Sequence, residues 1–450
     1  MLGSGAGWRS GIAVVLLGML LAGAVASAQS GLSSPYGAKK TDEELLRIAT
    51  YELVSELREA AADELAWRLR EATVRDIAYL EGLMKVSTPE LRGALLCYSL
   101  LTDAYREGLA RGELAIDELI SGIYTGETPE LRLARAQIAM EALFITRTLG
   151  MPLEKIADFP PPSLPRLEEE LVMELLRSLM RLMEGEGVEL WGYRWSGESE
   201  AVRRAAFRLA QHILALFITS KEEEVLLKLH PCEGWLELAE EGKTTESRWF
   251  ASSIYLDQCV PSELDLLREL AIAGGSFELR FLAARLYLLH HFSGQYYLGS
   301  QQMIDWLTEL AVRGESEELR ALASRFLTWP LQVACTGVRL TVHFHTREFG
   351  LFSFTIRPEG EIPPESLYEL ALEGETAHLR WAAGWALGWC WRHKLFVREL
   401  EIADIPRRSK AEAHTLEQAL IIFATENTIA HPELAQAAVL PLEFIWGEGD

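Results

Sequence analysis

One seven-residue phrase constrains this chain more than its composition does. Gly314-Glu315-Ser316-Glu317-Glu318-Leu319-Arg320 has close copies at Gly126 to Arg132, Gly197 to Arg203, Gly274 to Arg280 and Gly374 to Arg380. Weaker copies end at Arg92 and Arg248, and His431 to Ala435 is a degenerate last one without its arginine. Each part of the phrase belongs to a boundary between two helices. The expectation is that Gly314 closes one helix in the left-handed conformation open to glycine and that Ser316 caps the next. Leu319, Leu322, Ala323 and Phe326 then form one apolar stripe. A chain that repeats such a boundary is a chain of helical hairpins.

The repeat arginines at 92, 132, 203, 248, 280, 320 and 380 stand 40, 71, 45, 32, 40 and 60 residues apart. The shorter spacings fit one two-helix unit, and the two long gaps must contain insertions. Small residues follow each arginine, as at Ala283-Ala284, Ala323 and Ala382-Ala383, and let neighbouring helices approach closely. A first helix precedes each phrase, as in Trp235 to Ala239, Leu266 to Ala273, Trp306 to Val312 and Leu367 to Leu372. With Glu278-Leu279-Arg280 and Ala283, Ala284 and Leu288, and with Glu318-Leu319-Arg320 and Ala323 and Leu327, the chain resembles HEAT-type α-solenoids, in particular the phycobilin-lyase HEAT-like repeat proteins. The resemblance covers roughly residues 72 to 440. It implies an all-α solenoid of about eight to ten helical hairpins, and it implies little about activity, because this repeat serves many roles. The usual proline of the first helix is mostly absent here and the spacing is irregular. Tetratricopeptide repeats are the rival reading, but their strict period and Trp-Leu-Gly-Tyr phrase are missing.

The repeat region is expected to run from 41 to 450. Thr41 with Glu44 opens the first helix, and the apolar pattern from Leu45 to Leu69 fits one long helix or a tight pair. A second pair spans about Ala72 to Arg106, with Thr88 as cap and Pro89 at the first helical position. One insertion, about 150–187, holds Pro160-Pro161-Pro162 and an acidic amphipathic helix. The other, about 333–364, switches to a period of two: Val338, Leu340, Val342 and Phe344, then Phe352, Phe354 and Ile356. That pattern predicts a small β-hairpin whose apolar face lies on the helices, since an isolated hairpin is barely stable.

The first 28 residues have the parts of a signal peptide: Arg9, an apolar run from Ile12 to Ala22, and Ala26-Ser27-Ala28 before Gln29. Residues 29–40 are rich in Ser, Gly and Pro and are expected to be disordered. Export into an oxidising periplasmic or extracellular space suits disulfides, and five cysteines leave one over. Cys232 starts one predicted helix and Cys259 ends its antiparallel partner, which makes them the preferred pair. Cys335 with Cys390 is a second candidate, and Cys97 reads as a buried thiol in mid-helix. No segment after the leader is long and apolar enough to span a membrane.

Net charge is −23, from 43 basic and 66 acidic residues, which disfavours nucleic acid and anionic lipid and leaves a basic, peptide or carbohydrate partner. No P-loop, dinucleotide phrase, Gly-x-Ser-x-Gly elbow or His-Glu-x-x-His motif appears, so no catalytic residue and no cofactor is expected. The repeat arginines read as structural, packing their stems and bonding across the turn or to the next unit. His343 and His345 share one side of a strand with Glu348 nearby and are the one metal-like spacing, although solvated histidines have the same pattern. Trp381, Trp385 and Trp389 recur every fourth residue, either as packing or as a stacking platform. These observations point to an exported scaffold for protein–protein interaction, with a carbohydrate-binding or envelope structural module, and then a lyase-like enzyme, as alternatives.

Overall fold

Thr41 accepts a 3.2 Å hydrogen bond from the Glu44 amide, Glu44 accepts one of 2.8 Å from the Thr41 N–H, and this reciprocal box starts helix α1 (Asp42–Tyr51). The chain turns at Glu52 to Val54 into α2 (Ser55–Glu71), so the Leu45 to Leu69 run is a tight pair. Helices α3 (Ile77–Val86), α4 (Pro89–Cys97) and α5 (Leu100–Ala110) follow. Ser99, at φ 58°, breaks α4 from α5, so the expected second pair is three helices. Cys97 therefore ends a helix half-buried, instead of sitting buried in the middle of one.

This computed structural model describes residues 37, 39–160, 167–216, 222–260, 263–293, 297–346, 350–408 and 412–447. The expected signal peptide lies outside the described residues, as do Pro161, Pro162 and most of the 29–40 tail. The end of that tail is placed: Lys40 pairs with Glu417 at 2.8 Å, and its carbonyl accepts from Arg68 at 2.7 Å.

Hairpins then follow in order. They are α6 (Ile116–Thr125) with α7 (Pro129–Leu143), and α8 (Glu169–Met183) with α9 (Glu200–Leu216). Between α8 and α9 stands a small hairpin, β1 (Gly187–Leu190) and β2 (Tyr193–Ser196), closed by Trp191 and Gly192 at φ 57° and 82°. After α10 (Glu222–Leu229) come α11 (Cys232–Glu241) with α12 (Thr245–Gln258), and α13 (Leu264–Ala273) with α14 (Phe277–Ser293). Strand β3 (Tyr297–Gly299) leads into α15 (Ser300–Arg313) and α16 (Glu317–Thr336). The strands β4 (Leu340–Thr346) and β5 (Gly350–Arg357) precede α17 (Pro364–Glu373) and α18 (Ala377–Phe396). Helices α19 (Leu416–Asn427), α20 (Pro432–Ala435) and α21 (Val439–Gly447) close the chain.

The chain is mostly helical, and it divides into two compact units where the sequence suggested one array. One unit joins residues up to Gly108 with those from Glu399 onward, and the other is Leu109–Arg398. Within the first, α1 packs on α2, α3 on α4, and α2 receives both α4 and the C-terminal α21. Within the second, each first helix packs on its own second helix, and the second helices α7, α9, α12, α14, α16 and α18 pack on one another in sequence. The repeated core explains this order: Trp235, Leu267, Leu307 and Leu367 occupy one place in the first helices, each at 0 % exposure. Leu279, Leu319 and Leu379, with Ala283, Ala323 and Ala383, face them from the second helices and are also buried. Each such large side chain contributes about 1.5–3 kcal/mol through its removal from water.

The insertion near 333–364 supplies two strands of a three-stranded sheet in the order β3-β5-β4. Strands β4 and β5 are antiparallel with Val342 opposite Phe354, and β3 adds to β5 in parallel, a strand the sequence did not announce. Val342, Phe354 and Ile356 are buried, and the Phe354 ring lies 5.5 Å from that of Phe292 on α14 and 6.3 Å from that of Trp329 on α16.

Gly314 corrects the expected helix ending. Its φ is −53° and ψ 137°, an ordinary extended conformation, and Gly242, Gly274 and Gly374 match it. Glycine is required by close approach instead: a Cβ on Gly314 would stand 2.5 Å from the Leu310 carbonyl and 3.1 Å from Cγ of Arg320. Gly314→Ala is therefore expected to destabilise the protein by about 1–3 kcal/mol, and Gly314→Asn at least as much. A left-handed site would tolerate asparagine better than alanine, so denaturant melts in which asparagine rescued stability would refute this account.

Candidate functional site

The repeat phrase builds bonds within each repeat and, at Arg203, Arg248 and Arg280, to the repeat that follows. Nη1 of the arginine reaches back to the glycine carbonyl six residues earlier: 3.0 Å for Arg203, 2.8 Å for Arg248, 2.9 Å for Arg280, 2.7 Å for Arg320 and 3.0 Å for Arg380. Arg92 bonds the Ser87 carbonyl in the same way, and the Arg132 stem lies over Gly126. The rest of the guanidinium points forward to the glutamate two residues before the next repeat arginine. Arg203 donates to Glu246 at 2.9 Å, Arg248 to both oxygens of Glu278 at 2.9 and 3.1 Å, and Arg280 to Glu318 at 3.0 and 2.7 Å. The side chains of these three glutamates are 9 %, 4 % and 6 % exposed, so the pairs are shielded from water. The bond to Glu278 raises the Arg248 pKa above its ordinary value.

The ladder ends where its glutamate does. His378 stands two residues before Arg380 and bonds Glu317 at 2.7 Å, while Arg320 turns to the same carboxylate at 2.6 Å. Both contacts hold the Glu317 carboxyl below the usual carboxylate range. An earlier rung escaped the sequence reading: Arg58 donates to the Glu52 carbonyl at 2.8 Å and to Glu90 at 2.9 Å, although its segment lacks the glycine and cap.

The capping hydroxyls make a second set of links. Ser276 accepts from the Leu279 amide at 3.2 Å and donates to the Ala239 carbonyl, one repeat back, at 2.7 Å. Thr88 donates to Ala49 at 2.7 Å, Thr376 to Ala311 at 3.4 Å and Thr244 to Met183. For Thr88 that interaction stands in place of the expected cap, since α4 has no side-chain cap bond. Two disulfides complete the framework. Cys232–Cys259 closes the α11–α12 hairpin, and Cys335–Cys390 ties α16 to α18.

With arginine, glycine and hydroxyl committed to this framework, the surfaces left over are chemically distinct. On the first helices, Glu233 and Glu237, Asp265 and Glu269, Asp305 and Glu309, and Glu365 and Glu369 hold equivalent places, two before and two after the buried Trp235, Leu267, Leu307 and Leu367. All eight are exposed, so the first helices present two rows of carboxylates. On the second helices the half-buried positions of one stripe fall one, five and nine residues after the repeat arginine, except where Leu289 and Ala321 are buried. In α18 these places are Trp381, Trp385 and Trp389, each half-buried. The Trp381 and Trp385 rings run parallel, with an interplanar angle of 10° and centroids 6.1 Å apart, and Arg392 lies over Trp389 at 5.3 Å. Elsewhere on the same stripe are Trp249 of α12, Phe277, Phe281 and Arg285 of α14, and Arg325 and Trp329 of α16.

His343 and His345 pair with Ser353 and Leu351 across the β4–β5 ladder, and their side chains lie outside the described residues. Among the described residues no group of three His, Cys, Asp or Glu side chains is placed to hold a metal ion. A shallow recess of about 390 Å³ is lined by Tyr124, Arg194, Trp195, Ser196 and Glu198. No helix among the described residues is long and apolar enough to cross a membrane.

His291 of α14 keeps an exposed edge but stacks on Trp306 at 4.0 Å, and this partial desolvation pushes its pKa below the ordinary 6.5. Because the unfolded chain binds this proton more readily, stability from neutral His291 is full above 6.5 and is lost as pH falls toward the folded value. Titration of the His291 ring by NMR is expected to give a midpoint below 6.5, and one at or above it would contradict this partial desolvation. No family model, curated protein or solved structure matches this chain.

Proposed function

We propose that this protein is an exported scaffold for protein–protein interaction, built as a HEAT-like α-solenoid and acting by binding. The consecutive packing of second helices supports a repeat scaffold, in which each unit buries its faces on its neighbours and leaves long surfaces for partners. The observation that carries the reading is the double row of exposed carboxylates on α11, α13, α15 and α17. The glutamates of the arginine ladder are internally neutralised, whereas these eight carboxylates face water. Their regular placement gives one side of the 109–398 unit a concentrated negative potential, which steers a basic partner.

The test is an affinity capture with the mature chain, residues 29–450, from the envelope fraction of its own organism, at low and high salt. A basic protein held at low salt and released at high salt is the expected result. The same protein should be lost when Glu237, Glu269, Glu309 and Glu369 are replaced by lysine. Retention unaffected by either change would overturn the acidic-face reading. Mass analysis of the secreted chain checks export, which requires a mature N-terminus at Gln29.

A second reading, a carbohydrate-binding or envelope structural module, draws on the accessible Trp381–Trp385 pair. Saturable quenching of tryptophan fluorescence by neutral oligosaccharides would support it.

A further inference from the structure

The second helices turn a different chemistry to water from the first. Arg285 of α14 is half-buried, and among the described residues no carboxylate, carbonyl or ring is paired with it. Burial alone pushes its guanidinium pKa down. Leaving a guanidinium partly stripped of water without an anion costs stability. A chain with 66 acidic residues supplies none there. Arg325 holds the equivalent place on the adjacent α16, five residues after its repeat arginine. At Arg285 the anionic group of a ligand would fill that place.

Its shape follows from the neighbours. Trp249 and Phe281 meet edge to face at 5.5 Å and 74°, which makes an angled socket for an apolar side chain and not a flat bed for a sugar ring. Trp381 and Trp385 offer a second aromatic contact on α18. Packed helices lie about 8–10 Å apart, and an extended peptide advances about 3.3 Å per residue. Every third residue of such a peptide thus reaches the next helix.

We propose that the accessible face of α12, α14, α16 and α18 docks an extended peptide segment of a partner protein that carries a carboxylate at about every third position, seated on Arg285 and Arg325, with apolar side chains between the aromatic pairs. Tryptophan and arginine are the side chains that most often dominate such interfaces. This site goes beyond the acidic-face reading and lies on the opposite chemistry of the same unit, so either can fail alone.

The probe is a fluorescein-labelled peptide of four Glu-Pro-Leu repeats, measured by anisotropy against the full mature chain, with the Lys-Pro-Leu analogue and an oligogalacturonate as comparisons. Saturable binding of the Glu peptide alone is expected, weakened about tenfold by Arg285→Met and by Trp385→Ala. Arg285→Met removes a desolvated charge and should fold. If Trp385→Ala does not, Arg325→Met takes its place. No binding of the Glu peptide, equal binding of the Lys peptide, or indifference to the arginine variants would each overturn the proposal. Tighter binding of oligogalacturonate than of peptide would overturn it too, in favour of an acidic glycan. Capture of a basic partner unaffected by Arg285→Met would leave the acidic-face reading intact.

Discussion

Arg248→Met is expected to destabilise the 109–398 unit by about 3–5 kcal/mol, more than most surface-charge changes in this protein. The reason lies in what it leaves behind. Glu278, 3 % exposed, accepts two hydrogen bonds from Arg248 and no other hydrogen bond or ion pair to its carboxylate is described. Without the guanidinium it is a buried carboxylate with no counter-charge, and the Gly242 carbonyl loses its donor as well. Because Arg248 itself keeps 26 % exposure, water can partly replace it, which favours the lower end of the range. Removing both charges should cost much less than removing one, so Arg248→Met with Glu278→Leu is expected to recover a large part of the loss. Urea melts of the four proteins in a double-mutant cycle read this directly. A single variant that loses less than about 1 kcal/mol, or a double variant as unstable as the sum of the singles, would show that the pair behaves as an ordinary exposed ion pair.

The same residues show what the sequence could and could not tell. The helix boundaries were legible because the signals are local: Ser316 caps Leu319 at 3.2 Å, and the stripe from Leu319 to Phe326 is buried. The sheet strands were legible wherever the period of two was long enough, as at Val342 and Phe354. Tyr297 to Gly299 is too short to show a period, and its parallel partner lies across α15 and α16 in sequence. The β1–β2 hairpin did carry a signal, in the alternation around Trp191-Gly192, which lies just beyond the 150–187 insertion and was not read as strand. Gly314 was misread because glycine marks either a left-handed turn or a close approach, and composition does not distinguish them. The union of residues up to Gly108 with those after Glu399 is a long-range contact with no local trace. For the candidate surfaces the limit was registration. The tryptophan spacing in α18 is visible along one helix, whereas aligning Trp249, Arg285 and Arg325 with it needs the repeat offset supplied by the bonded arginines.

Replacing Cys335 and Cys390 by alanine is expected to lower stability by about 4 kcal/mol, and replacing Cys232 and Cys259 by about 0.6 kcal/mol less. The ordering rests on loop length, since a cross-link restricts the unfolded chain more when it closes a longer loop. The sequence separations are 55 and 27 residues. The folded state works in the same direction. Cys232 and Cys259 tie two helices that are already a tight hairpin, whereas Cys335 and Cys390 tie successive second helices across the β4–β5 insertion. Cys390 is also 2 % exposed, so alanine there leaves a small void, while the hairpin pair sits at helix ends. For a unit of this size about 4 kcal/mol corresponds to a fall in Tm of roughly 8 °C. Calorimetry of the two alanine pairs, beside the parent chain with and without reductant, makes the comparison. If the 232–259 variant melted lower than the 335–390 variant, loop closure could not be the dominant contribution.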